Sequence, residues 1–164
     1  MPIVSEVKGN IVKLAQAGQY KAILQGCNCK NAMGSGLAPQ IAKAWPEAYA
    51  ADQATVSGDM SKLGKYTFFH DTEVDVLIFN CYTQFGYDRL IRGHAVDYKA
   101  VATVFKSLNS LLASIDRNAK EPDYRVVGIP MIGAGLAGGH WQAISTIIDL
   151  VTPDIDIELV IYQQ

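Results

Sequence analysis

Val126-Val127-Gly128-Ile129-Pro130-Met131-Ile132-Gly133-Ala134-Gly135-Leu136-Ala137-Gly138-Gly139, running on into Trp141–Val151, carries three local signals in succession. Arg125–Ile129 reads as a buried strand and the glycine-rich stretch as a loop. Trp141–Val151 reads as a helix stopped by Thr152-Pro153. Strand, glycine loop and helix together turn unpaired backbone N–H groups toward an anion, helped by the positive end of the helix dipole. The same arrangement occurs upstream. There Lys21–Cys27, with its apolar pair Ile23-Leu24, leads into Met33-Gly34-Ser35-Gly36-Leu37-Ala38. A helical pattern follows (Leu37, Ile41, Ala44, Trp45) and breaks at Pro46. Two such loops in one small domain point to a ligand with more than one phosphate, gripped from both sides.

The rest of the chain fits around these units. Pro2–Lys8 reads as a first strand closed by Gly9-Asn10, and Ile11–Ala17 as a short helix ending at Gly18. Glu47–Val56 continues as a helix. Tyr66–His70 and Asp75–Tyr82 are strands joined through Asp71-Thr72-Glu73 as a hairpin. Phe85–Gly93 is an irregular loop. Tyr98, Val101, Phe105, Leu108, Leu112 and Ile115 step along one helix face. Ile157–Tyr162 is a last strand. The order β-α-β-α-β-β-α-β-α-β predicts an α/β fold in three α/β/α layers, with a mixed, mostly parallel sheet. Ligands of such sheets bind beyond the carboxyl ends of the strands, where both glycine loops fall.

Composition narrows the class. The 164 residues suit a single domain spanning 1–164, and 49% hydrophobic with 18% charged residues argues against disorder. A net charge of −2 leaves no general nucleic-acid footprint. The longest apolar runs fall far short of the ~20 residues of a membrane span. The N-terminus lacks a signal-type segment, so an intracellular (cytoplasmic) protein is expected. Cys27, Cys29 and Cys81 have neither redox nor zinc spacing and read as reduced, buried thiols. Trp45, Trp141 and Phe105 read as core.

Neither glycine loop is a nucleoside-triphosphate loop of the Gly-Lys-Ser/Thr type, nor the dinucleotide Gly-x-Gly-x-x-Gly. Taken alone, the first loop is also compatible with a tight β-to-α connection. Asn28 can touch a ribose diol or cap the turn. Asn10 adds an amide at another strand-to-helix junction. Tyr162, at the end of the last strand, offers an aromatic face to a base.

Gly9-Asn10-Ile11, Gly26-Cys27-Asn28-Cys29 with Met33–Ala38, Ile129–Trp141 and Leu159-Val160-Ile161-Tyr162 resemble macrodomains, in the same order and over almost the whole chain. The resemblance is strongest to the branch with yeast and T-even-phage ADP-ribose-1''-phosphate phosphatase-like macrodomains. It extends to the terminal ADP-ribose protein glycohydrolase branch. It implies an ADP-ribose cleft across the strand ends, with no metal and no cofactor. By position, Asn10 and Ile11 fall at the adenine, Asn28 at the distal ribose, and Tyr162 on the adenine face. Met33, Gly34, Ser35, Gly36, Leu37 and Ala38 form one wall around the diphosphate. Ile132, Gly133, Ala134, Gly135, Leu136, Ala137 and Gly138 form the other.

The departures bear on catalysis. Ala38 and Ala137 stand where other branches carry an acid, and Gln25 replaces a histidine of the phosphatase-like relatives. His140, at the start of a helix, is the candidate acid or base, or else an exposed first-turn residue. With Asn28 it makes up the candidate catalytic pair. Arg89 and Arg92, near Asp88 and His94, could meet a terminal phosphate or form a solvated surface pair. The expected function is binding of ADP-ribose with dephosphorylation of ADP-ribose-1''-phosphate. The alternatives are a non-catalytic module reading ADP-ribose, free or on an ADP-ribosylated protein, and a de-ADP-ribosylating hydrolase.

Overall fold

The computed structural model describes residues 3–86, 95–120, 124–135 and 137–163. In chain order the elements are β1 (Ile3–Gly9), α1 (Ile11–Gln16), β2 (Ala22–Asn28), α2 (Ala38–Ala44) and α3 (Pro46–Gln53). After a 3-10 turn at Met60–Lys62 come β3 (Tyr66–Asp71), β4 (Val76–Gln84), α4 (Tyr98–Asn118), β5 (Val126–Ile129), α5 (Trp141–Val151) and β6 (Asp156–Tyr162). The alternation read from the sequence is present. Pro46 separates α2 from α3 because the residue before a proline is pushed out of the helical region, and Trp45 sits at ψ 82°.

The strands form one six-stranded sheet in the order β1-β6-β5-β2-β4-β3. Every neighbouring pair is parallel except the β3–β4 hairpin. The fold is thus α/β with a mixed, mostly parallel sheet. Apolar residues cover both faces. Ala22, Leu24, Phe79, Ile129, Ile157 and Leu159 pack with Val101, Phe105, Leu108 and Leu112 of α4 and Ile144 and Ile148 of α5. On the opposite face Ile23, Ile78 and Val160 pack with Ile11 and Val12 of α1, Ile41 of α2 and Ala48 of α3. Adjacent residues Ile23 and Leu24 thus go to opposite sides, as the period of a strand requires. Trp45 and Phe105 are buried as the sequence suggests. Trp141 is a correction: the first residue of α5, it packs against the core but is only half-buried.

The position of the site follows from where β2 and β5 part. They pair only at Ala22–Val127 and Ile23–Gly128, whereas β2 stays paired with β4 as far as Asn28. Beyond Ile23 the two strands diverge, and both glycine loops leave from this opening. Chain direction also reverses here: β2 leads outward to β3 and β4, and β5 leads the other way to β6. That is the switch point at which doubly wound sheets bind ligands.

A polar clasp closes the opposite end of the sheet. Asp75, in the left-handed region at φ 55°, accepts from Tyr124 Oη at 2.7 Å, pairs with His70 Nε2 at 2.8 Å and accepts from Lys21 Nζ at 3.1 Å. The Tyr124 hydroxyl, then His70 and Lys21, hold the Asp75 carboxyl down at about 2, and the same bond pushes Tyr124 up to about 12. A depressed carboxylate adds stability that is full above its unfolded value and lost as pH falls through the folded one. A raised phenol adds stability that is full below its unfolded value and lost as pH rises through the folded one. Asp75→Asn is therefore less stable than the parent at neutral pH. In urea melts across pH, that difference shrinks from about pH 4 toward pH 2 and again from about pH 10 toward pH 12.

Candidate functional site

The first loop is fastened before it reaches the cleft. Asn28 Oδ1 accepts the N–H groups of Lys30 at 2.9 Å and Ala32 at 3.2 Å, while its Nδ2 donates to the Ala32 carbonyl at 2.8 Å. Of its two sequence readings, the turn-capping one is therefore present in the fold. Asn31 takes the left-handed conformation, φ 58°, and is held on every polar atom of its side chain. Its Nδ2 donates to the Thr55 carbonyl at 2.8 Å, and its Oδ1 receives Thr55 Oγ1 at 3.2 Å and Lys62 Nζ at 2.5 Å. Gln53 Nε2 donates to the Asn31 carbonyl at 2.8 Å. Lys62 is buried, lies 5.0 Å over the Tyr82 ring, and also donates to Thr55 Oγ1 and the Val56 carbonyl. The Tyr82 hydroxyl in turn donates to the buried Asp52 at 2.8 Å. Sequence reasoning missed this network, because its members are scattered from residue 31 to 82 and none has a local signature.

Past this anchor the backbone is bare. Gly36 has φ 68° and Gly133 φ 75°, conformations that glycine adopts without strain. The second loop folds on itself, with Ala134 N–H bonded to Met131 O at 3.2 Å, Gly138 N–H to Gly135 O at 3.0 Å and Gly139 N–H to Gly133 O at 2.6 Å. Its outer side is tied to the start of α4 by Ala95 N–H on Ala137 O at 2.7 Å. The N–H groups of Gly133, Gly135 and Ala137 have no acceptor among the described residues, and neither do those of Gly34, Ser35 and Gly36. Unsatisfied donors on both walls of a cleft are what an anionic ligand needs.

The cleft has two chambers that meet at Gly36, Leu37 and Pro130. The larger, about 580 Å³, is lined by the expected Asn28, Met33, Gly34, Ser35, Gly36, Leu37, Ala38, Ile132, Gly133, Gly135 and Ala137. It also takes in Gln25, Gly26, Cys27, Ala32, Gln84, Pro130 and Met131. Gly26 is packed tightly, since a Cβ there would come within 2.9 Å of the buried Thr83 Oγ1 and 3.2 Å of Ile132 Cγ2. The smaller chamber, about 360 Å³, is lined by Gly9, Ile11, Gly36, Leu37, Gln40, Pro130, Val160 and Tyr162. It is mainly apolar, and the half-exposed Tyr162 ring stands beside it.

Some expected residues lie off the lining. Asn10 caps α1, its Oδ1 accepting Lys13 N–H at 3.2 Å, and neither it nor Ala134 nor Gly138 lines a chamber. His140 is exposed at the N-cap of α5, where its backbone N–H donates to the Tyr98 hydroxyl at 3.0 Å, and it does not line the cleft. Leu136, Asp88, Arg89, Arg92 and His94 lie outside the described residues. No described residue lining either chamber carries a formal charge at neutral pH. The Cys27 thiol is pushed well up by burial, then by Asp52, so it stays protonated and is not a nucleophile.

No family model matches the chain. A curated protein of Enterobacteria phage T4, described as an uncharacterized 17.5 kDa protein in the tk-vs intergenic region, is 35% identical over 161 residues, spanning 96% of each chain. Among solved structures, the macrodomain of Thermus aquaticus DarG superposes with a TM-score of 0.66 at 19% identity, covering 98% of this chain and 97% of that one. Thermosipho africanus DarTG in complex with ADP-ribose gives 0.70 at 15% identity, covering 99% of this chain and 42% of that one.

Proposed function

Because this chain belongs to the same family as the phage T4 protein and has the macrodomain fold, we propose that it binds ADP-ribose across the two chambers. The observation that carries this reading is the pair of glycine walls, Gly34–Gly36 on one side and Gly133, Gly135 and Ala137 on the other, with N–H donors unsatisfied on both among the described residues. A diphosphate between them would receive hydrogen bonds from two sides. The base would enter the smaller, apolar chamber beside Tyr162, and the distal ribose would occupy the larger one near Asn28. That a Trypanosoma brucei macrodomain with a similar fold has been solved in complex with ADP-ribose supports the binding reading. Such a cleft would equally receive ADP-ribose attached to a protein.

Dephosphorylation of ADP-ribose-1''-phosphate is the catalytic reading of the same cleft. The free N–H groups of the second loop favour it, since donors fixed before reaction stabilise charge as it develops on a transferring phosphoryl group. His140, one residue before α5, would act as the base through a water. Removal of ADP-ribose from proteins ranks behind it. Ala38 and Ala137 both line the larger chamber, and neither supplies the acid that chemistry uses.

Calorimetric titration with ADP-ribose tests the binding claim, with saturable binding expected and its absence at millimolar ligand rejecting it. Phosphate release from ADP-ribose-1''-phosphate then separates the catalyst from the reader. Full activity in His140→Ala would remove the assigned base while leaving binding in place.

A further inference from the structure

The smaller chamber holds one side-chain amide whose orientation nothing fixes. Gln40, in the first turns of α2, is half-buried and lines that chamber among hydrocarbon and backbone. Its amide has no hydrogen-bond partner among the described residues. Gln25, in the larger chamber, provides the contrast. Its Nε2 donates to Asn80 Oδ1 at 2.9 Å, and Asn80 Nδ2 donates to the Ala48 carbonyl at 2.9 Å. A carbonyl only accepts, so that chain of bonds dictates which way both amides face. No such tie reaches Gln40, and it can turn over, exchanging donor for acceptor. Asn10, the other amide in the neighbourhood, is committed to the N-terminus of α1 and does not line the chamber.

This freedom bears on which base can enter. Adenine presents an amino donor beside a ring-nitrogen acceptor, and hypoxanthine presents an oxo acceptor beside a ring N–H. A carboxylate, which only accepts, can take the adenine amino group or the hypoxanthine ring N–H but leaves the acceptor of either base unmatched. An amide free to turn over meets both.

We propose that Gln40 reads the base in the smaller chamber and, as an untethered amide, admits 6-oxopurines about as readily as adenine. This rests on the nucleotide-binding reading above. The test is calorimetric titration of the full chain with ADP-ribose and with inosine 5'-diphosphoribose. The unaltered protein binds the two within about tenfold of each other. Gln40→Met weakens both by about fivefold, the cost of one lost hydrogen bond. Gln40→Glu, which keeps the acceptor and loses the donor, weakens both without separating them. A preference of the unaltered protein for adenine beyond about tenfold overturns the proposal, as does a Gln40→Met variant that binds both ligands like its parent. Both results leave ADP-ribose binding standing. Failure of the unaltered protein to bind either ligand rejects the reading of the cleft itself.

Discussion

Gly135→Val is expected to abolish the proposed ADP-ribose binding, raising Kd by about 100-fold or more, and to leave the protein folded. Gly135 lines the larger chamber, and a Cβ built on it meets nothing within 4 Å. Its φ lies outside the left-handed region, so a β-branched residue brings no backbone penalty there. The added side chain therefore meets no described residue and would stand where the proposed ligand runs. Calorimetric titration reads the loss, and an unchanged melting temperature shows that the loss is local. Gly135→Val binding as tightly as its parent would mean that ADP-ribose does not run along this wall.

Gly139→Val, four residues on, does the reverse. A Cβ there would lie 2.5 Å from the Gly133 carbonyl oxygen, 2.6 Å from Val96 Cγ1 and 2.9 Å from Ile144 Cδ1. The nearest of these is backbone, and the loop is closed on that same oxygen by the Gly139 N–H at 2.6 Å, so neither partner can step aside. Overpacking of this kind costs about 3 kcal/mol, which for a chain of this length lowers Tm by roughly 10 °C. Thermal melts followed by circular dichroism measure it. A variant melting with its parent would show that the second loop is not locked. The two substitutions separate the roles of one loop: its outward backbone would meet the proposed ligand, and its inward backbone is packed against Ile144 of α5 and Val96, just before α4.

The features legible in the sequence were those with short-range causes. Glycine loops flanked by an apolar run and a helical stripe announce themselves within about twenty residues, and Met33–Ala38, Gly133, Gly135 and Ala137 do line the larger chamber. Asparagine was harder to read. The chemistry that suits Asn10 and Asn28 to a ribose or a base also makes asparagine a preferred helix cap and turn residue. In the structure both make such local bonds. Gln40 was hidden because a polar residue in the first turns of a helix looks ordinary until a chamber is seen beside it. The anchor of Asn31 by Lys62, Thr55 and Gln53 is a matter of long-range geometry, which no window along the chain contains.

The short seam between β2 and β5 has a mechanical consequence. Within the sheet, among the described residues, only Ala22–Val127 and Ile23–Gly128 pair the leaf β1-β6-β5 with the leaf β2-β4-β3. The two glycine loops rise from opposite leaves, one after β2 and one after β5. A ligand held by both is then a rivet across the seam. Occupancy would add a link between two half-sheets that pair at only two rungs and are otherwise held by the Ala95–Ala137 bond and by side-chain packing.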